Sequence, residues 1–450
     1  MAHLHFIAIG GSAMHNLAIA LHHKGDTITG SDDEIFEPSK SRLKQSGLLP
    51  ENFGWFPEKI HANLDAVILG MHAKADNPEL LKAQEIGVPV FSYPEFLYEQ
   101  SKNKQRVVIG GSHGKTTITA MILHVLHIAG INTDYMVGAQ LDGFDVMVKL
   151  SKTARWMIIE GDEYLTSPID RVPKFLHYHP HIAVISGIGW DHVNVFPTFE
   201  NYLHQFRLFI QAIEKGGSLI YSASDLEVDK LAAEVKMEKI PYYPHDSVLE
   251  NGELKLKTAT ANIPIRVFGN HNLMNISAAL EVCRKMGVGD AQFYEAISSF
   301  KGASRRLERW FEKDGITVFR DFAHAPSKLQ ATVSALREQY PDRKLVACYE
   351  LHTFSSLSEV FIDHYSQSLD PADEAVIFYD PHAVAIKKLA LMSHDRIREG
   401  FGKKDLTILS SKQDLIDFVQ SSNLQKAVLA LMSSGSFNGL EREEIVELFH

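Results

Sequence analysis

Two cysteines in 450 residues, Cys283 and Cys348, leave nothing from which to build a disulfide framework or a cysteine zinc site. Positive charge is in deficit: 45 Lys and Arg stand against 56 Asp and Glu, for a formal net charge of −11. That argues against a nucleic-acid partner, because phosphate backbones are met by basic surfaces. It leaves room for small phosphate ligands, which a local field can capture. No apolar run approaches the roughly 20 residues that a membrane span needs. The opening MAHLHFIAIGG has neither the basic start nor the long apolar core of a secretion signal. The expectation is a cytoplasmic enzyme without stable membrane insertion. Its length exceeds what one core organises, so two or three domains are expected.

What the chain has in abundance is the alternation of short apolar runs, Gly-rich turns and longer amphipathic stretches, the pattern of parallel sheets flanked by helices. The spacing predicts strands at His3–Ile9, near Gly30-Ser31-Asp32, and at Ala66–Leu69. After a polar linker over Gln100–Gln105 it predicts Arg106–Ile109, Trp156–Ile159 and Ile182–Ile188, then a helix around His271–Met286. A third segment begins near Arg305, with strands at Thr317–Phe319, Lys344–Tyr349, Ala375–Tyr379 and Ala427–Met432. The fold class is α/β, and the domain boundaries fall at 1–104, 105–304 and 305–450.

The strongest chemical signal is Gly111-Ser112-His113-Gly114-Lys115-Thr116-Thr117, directly after a buried-strand pattern and before a helix expected from Thr117. Such a turn aims backbone N–H groups and a helix N-terminus at one spot, which suits phosphate. Lys115 would meet the terminal phosphates and the Thr116 hydroxyl a Mg²⁺ ion. The loop is shorter than the commonest phosphate loop, with Ile109 where the first glycine would stand. Two other strand ends carry matching chemistry: Glu160, ahead of Asp162-Glu163, as a Mg²⁺ ligand, and Asp191-His192 as a second metal or amine-positioning pair. These three strand ends are expected to converge on one sheet edge.

Gly10-Gly11-Ser12 after the first strand, with Asp32 further on, resembles a dinucleotide turn lacking its third glycine. Alone it would also suit a nicotinamide dehydrogenase, but that leaves Gly114-Lys115-Thr116 and Glu160 without work. A phosphate-loop switch coupled to a protein partner is the other alternative, and it leaves the N-terminal segment unexplained. Asn272 and Asn275, spaced i, i+3 on a helix, could present amides to an adenine edge or cap the helix. Arg306 offers a planar fork for phosphate, and Asp321 a carboxylate for a ribose or cation.

Taken in order along the chain, these motifs resemble the Mur ligase family. The resemblance implies an N-terminal Rossmann-like UDP-binding domain, a central phosphate-loop ATPase-like domain and a C-terminal Rossmann-like domain. It implies an ATP-dependent ligase that couples a carboxylate to an amine through an acyl phosphate, with Mg²⁺ held by Thr116, Glu160 and His192. By the same resemblance, His271, Asn272 and Asn275 fall in the adenine-contacting motif. Arg306, Asp321 and His324 match the residues through which the third domain closes on ATP. Gly10, Gly11, Ser12, Ala13, Met14, Ser31, Asp32, His72 and Asn77 match segments that bind the UDP-sugar, and Glu163 and Tyr164 are further substrate contacts. Lys115, Asp191 and His192 are the implied catalytic set.

Several members of the family carry a modified lysine in the helix that corresponds to Glu200–Ile210, where this chain has Phe206. That resembles the branch acting directly on UDP-N-acetylmuramic acid. Asp162-Glu163-Tyr164, the run Pro173–Tyr178 and Ser433–Gly439 are similar to the members that add L-Ala-γ-D-Glu-meso-diaminopimelate in one step. The L-alanine-adding members are the alternative. Two departures stand out: His352, in Glu350–Phe354, replaces an arginine seen in both groups, and Ala325 replaces a histidine.

Overall fold

A computed structural model of the chain describes residues 1–138, 144, 146–191, 195–250 and 253–449. The chain divides into two compact units. One takes in Met1–Ile188, Leu203–Tyr243 and Ala278–Phe293; the other takes in Gly189–Tyr202, Pro244–Ser277 and Tyr294–His450.

The first unit holds two sheets. The N-terminal one is parallel, in the order Thr27–Ser31, His3–Ile7, Ala66–Leu69, Val90–Ser92. Ile7, Val67 and Leu69 pack on Leu80 and Ala83 of the helix Pro78–Ile86. The first strand stops two residues short of the expected Ile9, because Ala8 turns to a φ of 64° and leaves extended geometry.

The second sheet has seven strands, in the order Glu238–Tyr242, Ser218–Ser222, Ile182–Ile185, Gln105–Gly110, Trp156–Glu160, Thr133–Met136, Val148–Lys149. All pairs are parallel except the last. From Gln105–Gly110 the chain crosses over towards Thr133–Met136, whereas from Ile182–Ile185 it leaves towards Ser218–Ser222. A crevice opens at the carboxyl ends of adjacent parallel strands where the connections part in this way.

The stretch expected as a linker is largely built. The helix Tyr93–Ser101 runs into it, and the strand begins at Gln105. Arg106, fully buried, explains why. Its guanidinium donates to the carbonyls of Ser101 at 3.0 Å, Lys102 at 3.1 Å and Lys104 at 3.2 Å. It also reaches the carbonyls of Tyr178 at 2.8 Å and His179 at 3.0 Å, and Glu214 Oε1 at 3.0 Å.

The second unit is built on a six-stranded sheet in the order Glu308–Lys313, Ile316–Asp321, Ala427–Met432, Lys344–Glu350, Glu374–Phe378, Thr407–Leu409. Only its first strand is antiparallel. Apolar cores cover both faces, one centred on Phe319, Leu329 and Tyr349, the other on Val318, Val346 and Phe378. A small antiparallel sheet, Ser247–Glu250, Glu253–Lys257 and Asn262–Pro264, was not expected. Its strands carry at most two adjacent apolar residues and bury little, so no long apolar run announces them. Among the described residues no helix is long and apolar enough to cross a membrane.

Candidate active site

The glycines of the central loop are dictated by its path. Gly111 has a φ of 124° and Gly114 one of 73°, both left-handed, and a Cβ on Gly111 would run into Ser186 Oγ. The neighbouring strand end pins the loop: Ser112 N–H donates to Gly187 O at 2.9 Å, and Ser186 Oγ donates to the carbonyls of His113 and, at 3.2 Å, Gly110. The helix then starts at Lys115, two residues before the expected Thr117. Lys115, Thr116 and Thr117 therefore occupy a first helical turn, whose N–H groups have no partner within the helix and carry the positive end of its dipole.

Lys115 Nζ is 2.6 Å from Glu163 Oε2 and 2.6 Å from Gly111 O. The pair is well covered, with side chains 15% and 1% exposed. Burial works against the ammonium, but Glu163, Asp162 and Glu160 outweigh it and hold its pKa above the ordinary lysine value. Thr116 Oγ1 donates to Glu160 Oε1 at 2.7 Å, and Gly138 N–H donates to Oε2 at 2.7 Å. Lys115, Thr116, Glu160 and Glu163 thus stand together at the carboxyl edge of the seven-stranded sheet. Thr116 and Glu160 are an all-oxygen pair, the donor chemistry of a hard cation such as Mg²⁺.

Asp191 belongs to the second unit, and His192 lies outside the described residues. The expected gathering of all three strand ends is therefore seen only for the first two. Within its own unit Asp191 Oδ2 is 3.2 Å from Lys328 Nζ and 3.7 Å from His324 Nε2. Burial, then Lys328, lowers the pKa of His324, against the pull of Asp191. Both Tyr349 and Tyr365 donate to the His324 carbonyl at 2.9 Å, fixing the turn that carries it.

Asn272 and Asn275 share one face of the helix Asn270–Lys285, and Asn275 Nδ2 donates to Asn272 Oδ1 at 3.3 Å. Asn272 Nδ2 in turn donates to Phe268 O at 2.8 Å. Asp321, expected to meet a ribose or a cation, makes three hydrogen bonds within its own unit. Its carboxylate accepts from Leu307 N at 2.7 Å, Ala323 N at 2.8 Å and Thr332 Oγ1 at 3.0 Å, so it shapes the turns that present Arg306 and His324. The Arg306 guanidinium lies 4.5 Å from the Phe322 ring centroid. At the end of Lys344–Glu350, the buried Glu350 accepts from Ser433 Oγ and, at 2.9 Å, Phe437 N. His352 Nδ1 is 3.5 Å from its other oxygen. Burial would raise the pKa of Glu350, but His352, Ser433 and Phe437 outweigh it and hold it below the ordinary glutamate value.

In the N-terminal sheet, Asp32 Oδ2 accepts from Gly10 N at 2.7 Å, and Ser12, Ala13 and Met14 open the helix Ser12–Lys24. Burial, with Asp33 nearby, raises the Asp32 pKa to about 6. Ser31 is fully buried and takes a bond from Lys59 at 3.3 Å. Asn77 caps the helix Pro78–Ile86, accepting from Glu79 N at 2.9 Å and Leu80 N at 3.2 Å, while His72 is exposed.

Three residues escaped the sequence reading. Lys328 joins Asp191, and Arg106 ties the first helices to the central strand. Asp225 accepts from Ile188 N at 2.8 Å with one oxygen and caps the helix Leu226–Ala233 with the other. Only Asp225 carried a local signal, an Asp two residues before Glu227 at a helix start.

Residues 109–283 match the model described as Mur ligase middle domain, 3–105 that of Mur ligase family, catalytic domain, and 305–435 that of Mur ligase, glutamate ligase domain. The UDP-N-acetylmuramate–L-alanine ligase of Sulfurihydrogenibium sp. is 31% identical over 83% of this chain and 82% of its own. The chain belongs to the Mur ligase family. As such it is an ATP-dependent amide-forming ligase. This Mur ligase is also 28% identical to the UDP-N-acetylmuramate–L-alanine ligase of Clostridium acetobutylicum, over 96% of the chain and 95% of that protein. Two solved structures share its three-domain fold end to end. The murein peptide ligase Mpl of Psychrobacter arcticus has a TM-score of 0.70 at 24% identity, and MurC of Thermotoga maritima 0.74 at 20%. Each covers 100% of this chain and is itself covered to 99%.

Proposed function

We propose that this ligase joins the carboxylate of UDP-N-acetylmuramic acid to the amine of L-Ala-γ-D-Glu-meso-diaminopimelate. In this reading residues 1–104 bind the UDP-sugar, 105–304 bind ATP and 305–450 receive the acceptor. A carboxylate oxygen attacks the γ-phosphorus of ATP and ADP leaves. The acceptor nitrogen attacks the acyl carbon of the resulting acyl phosphate, and phosphate departs from the tetrahedral intermediate. Lys115 exchanges Glu163 for the transferring phosphoryl group and offsets the charge that builds on it. Thr116 and Glu160, with His192 by family resemblance, would hold Mg²⁺, which supplies further charge neutralisation when bound. Gly10–Met14, Ser31, Asp32, His72 and Asn77 are assigned to the UDP-sugar. Asn272, Asn275 and His271 are assigned to adenine, and Arg306, Asp321 and His324 to the nucleotide. Asp191, held by Lys328, positions the segment leading to His192.

The observation carrying the choice of acceptor is that the two segments distinguishing this chain fold as one piece beside Lys115. Lys174 N donates to Tyr164 O at 3.0 Å and Phe175 N to Asp162 O at 3.1 Å. Lys174 Nζ meets Asp162 Oδ2 at 2.6 Å and lies 5.7 Å from the Tyr164 ring centroid. A long acceptor makes remote contacts whose binding energy orients its amine. Free L-alanine is the second reading, supported by the names of the sequence relatives. The test is ADP release at fixed UDP-N-acetylmuramic acid with each acceptor varied. The tripeptide is expected to give the higher kcat/KM, and a faster reaction with L-alanine overturns the assignment.

A further inference from the structure

Away from the phosphate loop, the first unit brings together three metal-ligating side chains that the ligase chemistry does not use. Glu95 stands in the first turn of the helix Tyr93–Ser101. Asp170 lies at the tip of a turn closed by Thr166 N donating to Val172 O at 3.0 Å and Ser167 N to Asp170 O at 2.9 Å. His177 is in the 3₁₀ segment Lys174–Tyr178 that follows. One carboxylate oxygen of each acid and one ring nitrogen of the histidine all lie within 4.8 Å of one another.

The second observation concerns the imidazole. His177 Nε2 is buried and has no hydrogen-bond partner, although Asp170 Oδ2 stands only 2.9 Å away. The carboxylate therefore sits off the ring N–H axis, close to the nitrogen without being bonded to it. Both acids are pre-set by other contacts. Glu95 Oε2 accepts from Ser92 N at 2.7 Å in a capping box, and Asp170 Oδ1 accepts from Val172 N at 3.0 Å, which turns Oδ2 towards the histidine. Arg171, next to Asp170, is exposed, and Lys174 is engaged by Asp162 at 2.6 Å.

We propose that Glu95, Asp170 and His177 form a binding site for one first-row divalent cation, with Zn²⁺ as its probe. Two carboxylates balance the 2+ charge, and the imidazole nitrogen favours such an ion over Mg²⁺ or Ca²⁺. Ligand atoms on a tetrahedral zinc with bonds of about 2.0–2.2 Å stand about 3.3–3.6 Å apart, so side-chain shifts of about an ångström close the site. The bound ion ties the helix Tyr93–Ser101 to the turn that follows Glu163 and Tyr164, and so stabilises that turn whether or not nucleotide is present. The proposal does not rest on the choice of acceptor.

The test is calorimetric titration of tag-free, chelator-treated enzyme with Zn²⁺ in excess Mg²⁺, so that the Thr116–Glu160 pair is saturated. One equivalent is expected to bind and to raise the thermal midpoint. Glu95→Gln keeps a side chain able to cap the helix, so it removes a ligand without disturbing the fold. It, Asp170→Asn and His177→Ala should each weaken Zn²⁺ binding on the order of 10–100-fold and abolish the midpoint rise. Co²⁺ bound to the parent should show visible d–d bands that Glu95→Gln loses. Absence of binding by the parent enzyme, or an affinity unchanged by both Glu95→Gln and Asp170→Asn, overturns the site.

Discussion

At the carboxyl edge of the seven-stranded sheet a half-buried cation, Lys115, lies 2.6 Å from Glu163, with Asp162 and Glu160 nearby. At the same edge of the six-stranded sheet stands a buried anion, Glu350, to which no lysine or arginine among the described residues is bonded. It accepts from Ser433 Oγ and Phe437 N, with the His352 ring 3.5 Å from its other oxygen. The difference separates an exchangeable charge from a structural one. A phosphate can replace Glu163 on Lys115, because both present anionic oxygens. Nothing in solution can replace Glu350, whose bonds set the path of the Ser433–Phe437 turn.

The sharpest way to break that contrast is Lys115→Ala. Its loss should lower the rate of ADP release by about 10²–10³-fold with the fold retained, although the urea midpoint should fall because Glu163 loses its partner. Near-normal turnover would end the phosphate-loop assignment. Glu350→Ala should act through stability instead. Leaving Ser433 and Phe437 N without their acceptor costs about 1–3 kcal/mol, read as a lower urea midpoint, and Glu350→Gln should recover part of it. The pKa of Glu350 is depressed in the folded chain, so its contribution is present above the unfolded value and fades as pH falls through the lower folded one. A midpoint unchanged in Glu350→Ala would show the carboxylate to be dispensable to that turn.

Glu160→Gln tests the metal half of the first edge. An amide is a poorer ligand for a hard cation, so the Mg²⁺ concentration for half-maximal activity should rise on the order of tenfold; an unmoved titration would locate the ion elsewhere. The smallest effect is expected at Asp32. With its pKa raised to about 6, it becomes protonated as pH falls below that value and ceases to be an ionised acceptor. KM for the UDP-sugar should therefore climb severalfold between pH 7 and 5, and Asp32→Asn should flatten the profile. An equal rise in Asp32→Asn would assign the pH dependence to another group.

The residues legible in the sequence were those whose role is local. Gly111 and Gly114 are demanded by backbone conformation, and Glu160 by its place at a strand end. What stayed hidden depends on pairings across the fold. Glu163 meets Lys115 from 48 positions away and Lys328 meets Asp191 from 137, separations that no periodicity records. Asp321 and Asn77 show the converse. Polar residues within family motifs are engaged by backbone N–H groups here, the role that short polar side chains take at turns and helix starts. The sheets were read from buried apolar runs, and the polar strands Ser247–Glu250 and Glu253–Lys257 gave no such run.

Arg106 carries a mechanical consequence. A guanidinium that gathers three carbonyls from Ser101–Lys104 and two from Tyr178–His179 closes the junction between the N-terminal sheet and the central strand with one side chain. Truncating it would strip five carbonyls of a donor at once, so the splice has a single point of failure.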